Sequence, residues 1–490
     1  MTNSQAALAR DAARGTVWVS VAQASLTGFG YLVVILLARG LAPAEFGVYG
    51  LLYSYLTALE IILQIGIPGA VSRLIAGQRA SERHLASTGI TLITLIFLGV
   101  FAVVWMTAPL IARGLQLEGS EHLIRIAALD MPFFGLYASL TNILTGHRRF
   151  RAYSAAVIVY ALSKPLGIVL LSAMGELTVA NALLVNALTS VCGFVTAAAF
   201  AGRAPFKLRL TEARLVLSVA GPASFIVMGS QVLLYFDLWG VHFFEAAASA
   251  TAYGYYVAAK SLARIPNFTA FVANAVLVPS LAHAMAQKNA AGIRQFVQGT
   301  SRILLITLLP GCALLAVEAE PLMALLFSAD YGAGAPYFRL LVIANGLLYT
   351  LLFVFLSMLL ALSLQKRAAR LVLLSLLPAL IAITVFVPLL GMRGGALASM
   401  TATFIATVAA GSMLYRESGA RLAVSEVLRA LAVTAILCGV AAVIPSSGWM
   451  TVVELVCLLP VLGALAFVFG LLGTADLSLL RRKPAQEGER

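Results

Sequence analysis

The stretch Leu37–Gly50, LARGLAPAEFGVYG, lies between two long apolar runs of the sequence. It contains an arginine, a proline, a glutamate and three glycines, although its neighbours on both sides are almost all apolar. Proline and glycine interrupt regular structure and mark turns. We therefore predict a turn here, with Pro43 ending one helix and Phe46-Gly47 starting the next.

The composition is that of an integral membrane protein. Of the 490 residues 61% are hydrophobic and 11% are charged, and the mean hydropathy is +0.97, whereas soluble domains carry about 25% charged residues. The apolar runs are continuous rather than alternating, which favours helices over a β-barrel. The first run is too long for a signal-peptide core and counts as a span. The four cysteines lie singly and the five histidines are scattered, so we expect no disulfide, no metal site and no cofactor.

Runs long enough to cross a bilayer, which takes about 20 apolar residues, occur fourteen times. The predicted fold is therefore an all-α membrane protein of about fourteen spans, at residues 15–38, 48–70, 85–112, 123–146, 153–174, 178–201, 215–244, 251–284, 300–319, 336–363, 371–390, 394–415, 429–445 and 450–473. We divide the chain into an amino-terminal segment (1–14), an N-lobe of six spans (15–203), a C-lobe of six spans (204–415), two further spans (416–473) and a tail (474–490).

The net charge of +13 indicates orientation in a membrane rather than nucleic-acid binding, because the basic residues alternate between loops. With the amino terminus inside, the outside loops hold only Arg39, Arg113 and Arg393, and most other lysines and arginines fall in inside segments such as Arg148–Arg151. Cytoplasmic loops are the ones enriched in Lys and Arg. We therefore predict that both termini are cytoplasmic. All loops are short, so no separate catalytic domain is expected.

Part of the opening stretch is similar to a later stretch of the chain. A shift of 207 residues places Phe46-Gly47-Val48-Tyr49 on Tyr253-Gly254-Tyr255-Tyr256, and Glu60 on Asn267. Spans 1–6 and 7–12 thus read as two copies of one six-helix unit. Since each copy has an even number of spans, the copies share one orientation, and a pseudo-twofold along the membrane normal relates them. Secondary transporters use such repeats.

Three segments carry a family resemblance, namely LARGLAPAEFGVYGLLYS (37–54), GIPGAVSRLIA (66–76) and LLFSADYGAGAPYFRLL (325–341). The first resembles the amino-terminal signature of the polysaccharide-biosynthesis, O-antigen-type flippases. These belong to the multidrug/oligosaccharidyl-lipid/polysaccharide exporter superfamily. The resemblance covers about residues 10–415, and the predicted number of spans fits that family.

The resemblance implies a flippase in the bacterial cytoplasmic (inner) membrane. Its cargo would be an undecaprenyl-diphosphate-linked oligosaccharide, carried from the inner to the outer leaflet for surface polysaccharide synthesis by alternating access of two lobes. It also implies lipid-linked oligosaccharide and membrane lipids as partners, and leaves a glycan polymerase and export machinery as further candidate partners. No nucleic acid is expected.

Charged residues inside spans are candidates for function, because each costs on the order of 3 kcal/mol at the bilayer centre. Lys260 and Arg264 are four residues apart and share one helix face. A diphosphate could bind between these cations, and arginine suits phosphate through its bidentate geometry. The alternative is structural pairing with Asp237 or Glu60. We favour a cavity role for Arg264 and leave Lys260 and Lys164 open.

The acidic residues are candidates for coupling. Asp237 and Glu60 could bind a cation or proton, or act as counter-ions to the basic residues, and the counter-ion role leads for both. Asp130 precedes Met131-Pro132 and could cap a broken helix. Arg39, Arg125 and Arg339 lie near the outer ends of their helices, as rim residues.

Two other functions compete with a flippase. A cation-coupled drug or metabolite antiporter of the same superfamily would normally have twelve spans. A membrane-embedded glycan polymerase or ligase would normally carry a large outside loop, which this chain lacks. The sequence shows no phosphate loop, nucleophile elbow or H-E-x-x-H motif. We therefore predict a transporter rather than an enzyme.

Overall fold

The computed structural model describes residues 3–76, 82–202, 206–245, 249–270, 289–444 and 448–469, with a few residues between 273 and 287. Within these ranges every regular element is a helix. In chain order the elements are α1 (Asn3–Gly40), α2 (Pro43–Ala76), α3 (Glu82–Gly114), α4 (Glu121–Ala128), α5 (Asp130–Gly146), α6 (Phe150–Ala173), α7 (Val179–Ala201), α8 (Leu210–Glu245), α9 (Ala250–Leu262), α10 (Ala290–Val317), α11 (Ala319–Leu326), a 3₁₀ turn (Ala329–Gly334), α12 (Ala335–Leu341), a π-helical segment (Val342–Leu348), α13 (Tyr349–Ala361), α14 (Gln365–Leu390), α15 (Met392–Ser418), α16 (Val424–Val443) and α17 (Trp449–Val468).

Thirteen helical segments of the described ranges are long and apolar enough to cross a membrane. Each of them overlaps one of the fourteen predicted spans, so the predicted fold class is confirmed. The remaining prediction, at 251–284, begins as α9, and most of its second half lies outside the described residues. The tail predicted at 474–490 also lies outside them.

The turn at the opening stretch forms, but Pro43 has a different role from the one predicted. Helix α1 ends at Gly40, and Pro43 is the first residue of α2. Proline is favoured at that position because its missing N–H would have no helical partner there. Glu45 supports the helix start, since its Oε2 accepts a hydrogen bond from the Ala42 N–H at 3.2 Å. The prediction that Pro43 ends the preceding helix was wrong.

Two of these thirteen segments are interrupted. The fourth consists of α4 and α5, which break at Leu129. The ninth passes from the 3₁₀ turn through α12 into the π-helical segment and then α13. Short π-helical segments inside α-helices are frequent at functional positions.

The residues group into two compact units. The first comprises Asp11–Ala258 and Gln365–Ala398, and the second comprises the described parts of Met1–Arg10, Ala259–Leu364 and Ser399–Arg490. These units are not the two lobes predicted at 15–203 and 204–415, because α8 and the start of α9 pack with the amino-terminal helices. The division into two six-helix lobes therefore stays a prediction.

Each unit has its own apolar core. In the first, buried residues of α2, α3, α5, α6 and α7 pack around an aromatic group that includes Phe97, Phe134 and Tyr137. In the second, α16 and α17 pack against α10 through Ile306, Leu437 and Leu458, among others. The last two spans are thus attached to the second unit through α10.

Candidate functional site

Five polar side chains are buried together in the first unit, and we call them the buried polar cluster. They are Glu60, Asp130, Lys164, Asn186 and Ser190, contributed by α2, α5, α6 and α7. None of them is more than 8% exposed, and Asp130 is fully buried. Charged groups in such a position are costly unless other groups compensate them. The cluster is therefore the first candidate site.

The break at Leu129 brings Asp130 into this cluster, since α5 starts at that residue. The prediction that Asp130 caps the broken helix was wrong. Leu129 occupies the N-cap position, and no side chain caps α5 there. The Asp130 carboxylate instead accepts a hydrogen bond from Asn186 Nδ2 of α7, and Ser190 adds a hydroxyl that faces the same carboxyl group. Asp130 thus links α5 to α7.

Lys164 lies against aromatic rings rather than in open space. Its Nζ is 4.0 Å from the centroid of the Tyr53 ring, and Tyr53 stacks on Tyr49 with ring centroids 5.6 Å apart. The ammonium group also interacts electrostatically with Asp130. A cation over an aromatic face is stabilised by the ring quadrupole. The structure therefore brings Lys164 and Glu60 together, two residues that the sequence had proposed for different roles.

Helices α2 and α9 meet along a seam in which glycines face larger neighbours. We call it the glycine seam, and its residues are Pro43, Gly47 and Gly50 of α2, and Tyr253, Gly254 and Val257 of α9. A Cβ atom on Gly47 would lie 3.2 Å from Gly254 N, and one on Gly254 would collide with the Pro43 carbonyl group. Only glycine allows such an approach of two backbones. The two copies of the repeated aromatic-Gly-X-Tyr motif are thus in direct contact.

The α3–α4 turn is attached to α8 at the same end of the helices. His242 Nε2 lies 2.6 Å from the Leu115 carbonyl oxygen, and Gln116 Nε2 donates to the Phe243 carbonyl oxygen at 3.2 Å. Val48 and Tyr253 line a small cavity together with His242 and Gln116. Helices assigned to both predicted lobes are therefore tied together at this end of the first unit.

Asp237 of α8 is fully buried and accepts a hydrogen bond from the Tyr256 hydroxyl of α9 at 2.8 Å. Two residues further along α8, the Trp239 indole N–H donates to Ser54 Oγ at 2.9 Å and its ring stacks on Tyr55. These contacts bind α8 to both α9 and α2. The Asp237 carboxylate has a clear structural role here, and a role in coupling stays a prediction.

In the second unit Lys260 and Arg264 have different surroundings. Lys260 is 3% exposed, and its Nζ donates to Asn345 Oδ1 of the π-helical segment at 3.3 Å. Arg264 is half-buried and lies in the turn that follows the end of α9 at Leu262. Asn267, three residues later, accepts a hydrogen bond from Thr350 Oγ1 at 2.7 Å. Lys260 is therefore held by an amide, whereas Arg264 is the more accessible cation.

The three predicted rim residues lie in the last turns of their helices. Arg39 is exposed in the last turn of α1, and Arg339 is exposed on α12. The Arg125 guanidinium lies 5.9 Å from the Trp105 ring centroid. Their positions at helix ends stay compatible with a rim.

Sequence reasoning missed Asn186, Ser190 and Asn345, because a polar uncharged residue inside a span gives a weak signal. Each of them lies in a strongly apolar run, and that was the available clue. It also missed the contact between Gly47 and Gly254, although it had aligned these two residues as equivalent.

Comparisons with known proteins place these features in a family. The family model described as Polysaccharide biosynthesis protein matches residues 12–285. The chain is 25% identical over 350 residues to the succinoglycan biosynthesis transport protein ExoT of Rhizobium meliloti (strain 1021), a match covering 69% of this chain and 67% of that protein.

Two solved structures have a similar fold. The lipid II flippase MurJ in an inward closed conformation aligns with a TM-score of 0.74 and 14% identity, covering 94% of this chain and 99% of that one. A multidrug resistance MATE family transporter of the MOP superfamily, in an inward-facing conformation, aligns with a TM-score of 0.64 and 15% identity. The alignment covers 82% of this chain and 98% of that one.

At such low identity the solved structures inform on the fold alone, which they share with this chain over most of its length. The family model is more specific, since it covers more than half of the chain and includes the buried polar cluster and the glycine seam. The resemblance inferred from the sequence is confirmed: the chain belongs to the polysaccharide biosynthesis protein family.

Proposed function

We propose that this protein is a flippase that moves an undecaprenyl-diphosphate-linked oligosaccharide from the inner to the outer leaflet of the bacterial cytoplasmic membrane. Membership of the polysaccharide biosynthesis family supports a glycan precursor as cargo. The fold, which is similar to that of a lipid II flippase, is compatible with a lipid-linked cargo.

The glycine seam is the observation that carries the mechanism. It joins α2 of the predicted N-lobe to α9 of the predicted C-lobe through the close approach of Gly254 to Pro43 and the packing of the Val257 side chain against Gly50. With both termini cytoplasmic, α2 runs inward from Pro43, so the seam lies at the outer face. When α2 and α9 are in contact along the seam, the path to the outer face is closed. Separation of the two helices would open this path and release cargo outward. Alternating access requires a contact of this kind, which is formed in one conformational state and broken in the other.

Arg264 is the favoured partner of the diphosphate. Lys164 and Lys260 are buried, whereas Arg264 is half-buried and is the most solvent-accessible of the three candidate cations. Guanidinium groups bind phosphate oxygens in pairs of parallel hydrogen bonds. Lys260 then acts within the second unit by holding α9 to the π-helical segment, and Lys164 acts within the buried polar cluster of the first unit.

The test of this function is deletion of the gene in the native bacterium. We expect surface polysaccharide to disappear while the lipid-linked oligosaccharide accumulates on the cytoplasmic face, because its synthesis continues without export. Surface glycan is measured by gel and composition analysis, and leaflet location by an impermeant glycan-modifying reagent on inside-out and right-side-out vesicles. Re-expression of the wild-type chain serves as the control. Normal surface glycan in a strain lacking any redundant transporter would rule the proposal out.

The second candidate is a cation-coupled drug or metabolite antiporter, favoured by the likeness to MATE transporters. The deletion strain distinguishes the two functions. An antiporter predicts greater drug sensitivity with unchanged surface glycan, whereas the flippase predicts loss of the glycan. The two additional helices α16 and α17, which pack on α10, weigh against a twelve-span antiporter.

A further inference from the structure

The carboxyl groups of Glu60 and Asp130 are buried together in the first unit. They come from different helices, α2 and α5, and they face each other within hydrogen-bonding reach. Glu60 is 5% exposed and Asp130 is fully buried, so bulk solvent screens their charges little. Two ionised carboxylates in such proximity would repel each other strongly.

The hydrogen-bond donors around this pair are too few to reach all four carboxyl oxygens. Asn186 Nδ2 donates to Asp130 Oδ2 and the Ser190 hydroxyl faces the same carboxyl group, but in the described part of the chain Glu60 Oε1 and Asp130 Oδ1 have no donor at hydrogen-bonding distance. Ionised carboxylates only accept hydrogen bonds, whereas a protonated carboxyl group can donate one. A hydrogen bond between the two groups therefore requires a proton on one of them.

The surrounding charges lead to the same conclusion. Among the described residues Lys164 of α6 is a cation that interacts with both acids, and the hydroxyl groups of Tyr160 on α6 and Tyr49 on α2 are further titratable groups that interact with the pair. From α7 come only the neutral Asn186 and Ser190. Two carboxylates and one ammonium carry a net negative charge, and a single proton makes the cluster neutral. Neutrality matters because uncompensated charge is costly inside a membrane.

Helix positions suggest why this proton would be mobile. Asp130 begins α5 directly after the break at Leu129, and Glu60 is on the same helix as the glycine seam. Loss of the proton would restore repulsion between α2 and α5. Protonation of the pair would thus be coupled to the position of α2, which contributes one side of the glycine seam.

We propose that Glu60 and Asp130 share one proton and form the proton-binding site that drives transport. This inference rests on the proposed flippase function and names its coupling ion. Lys164 favours a proton over a metal cation here, because its ammonium already supplies a positive charge beside the oxygens. Asn186 acts as a positioning residue, since it orients the Asp130 carboxyl group.

The test uses the full-length protein purified into lipid nanodiscs, with infrared spectroscopy of the carbonyl band of protonated carboxyl groups. We expect a band in the wild-type protein that disappears as the pH rises and that is lost in both Glu60→Gln and Asp130→Asn. An amide can still donate to the remaining carboxylate, so both variants should fold, as thermal unfolding will report. The matched control is Asp330→Asn, an exposed acid in the 3₁₀ turn, which should keep the band.

Export assays complete the test. Glu60→Gln and Asp130→Asn should each lose export, and the exchange variant with Glu60→Asp and Asp130→Glu should recover part of it because the pair is restored. A band that survives in either single variant would overturn the shared proton. Removal of the band by sodium at constant ionic strength would indicate a sodium site instead. Normal export in both single variants would overturn coupling while leaving the flippase function intact. Because the spectroscopy needs no cargo, its result is independent of the gene-deletion experiment.

Discussion

Replacement of Gly254 by valine is expected to abolish export while the protein still reaches the membrane. A Cβ atom at this position would collide with the carbonyl group of Pro43, which belongs to the backbone and cannot rotate away. The seam between α2 and α9 could then no longer close. Under the proposed mechanism the transporter would remain open to the outside and could not reload. Export is measured as surface polysaccharide in the deletion strain carrying the variant.

Accessibility provides a second readout for the same variant. Val257 is 4% exposed and contacts Gly50 within the seam, so Val257→Cys in a background without native cysteines should react slowly with a membrane-impermeant maleimide. Adding Gly254→Val should make that reaction faster. The matched control is Gly99→Val in α3, since a Cβ on Gly99 would meet no described atom within 4 Å apart from the nearby backbone of its own helix. Wild-type export by Gly254→Val, or unchanged labelling, would contradict a gate at the seam.

Substitution of Arg264 is expected to separate cargo binding from stability. Arg264→Ala should lose export at wild-type protein levels, because the half-buried guanidinium is the proposed diphosphate partner. Arg264→Lys should recover only part of the activity, since lysine keeps the charge but lacks the bidentate geometry. Export and membrane abundance are measured together. Normal export by Arg264→Ala, or a loss that follows protein level in both variants, would show that the diphosphate role is wrong.

Lys260→Met is the matched comparison, one helical turn earlier. Its expected effect is on folding, because Asn345 Oδ1 would lose its donor in a fully buried position. An unsatisfied buried acceptor costs about 1–3 kcal/mol, which lowers the unfolding temperature of the purified protein. Thermal unfolding in detergent checks this result. An unchanged unfolding temperature with lost export would move Lys260 into the cargo site.

The broken fourth span illustrates what sequence reasoning could and could not reach. The sequence placed Asp130 beside Met131-Pro132 and suggested an interrupted helix, and the interruption is present. The role inferred for the carboxyl group was a local cap, yet its partners are Asn186, Glu60 and Lys164 on three other helices. Local patterns predict breaks in a helix, but they do not identify neighbours that are far away along the chain.

The glycine seam illustrates a similar limit. The alignment of Phe46-Gly47 with Tyr253-Gly254 was visible in the sequence and was interpreted as a trace of duplication. That the two glycines touch was not inferable, because equivalent positions in a repeat can be distant in the structure. The contact depends on how α2 and α9 cross, and that depends on the packing of several helices.

The sequence by itself determined the membrane class, the approximate spans and the family of this protein. The length of an apolar run and the residues of a sequence motif are local properties, and the bilayer imposes a similar length on every span. Only the tertiary structure decided which buried polar groups meet. It paired Glu60 with Asp130, Lys260 with Asn345, and Gly47 with Gly254. Such pairings arise from the packing of helices that are distant in sequence, where a shift of one residue along a helix turns a side chain by about 100°.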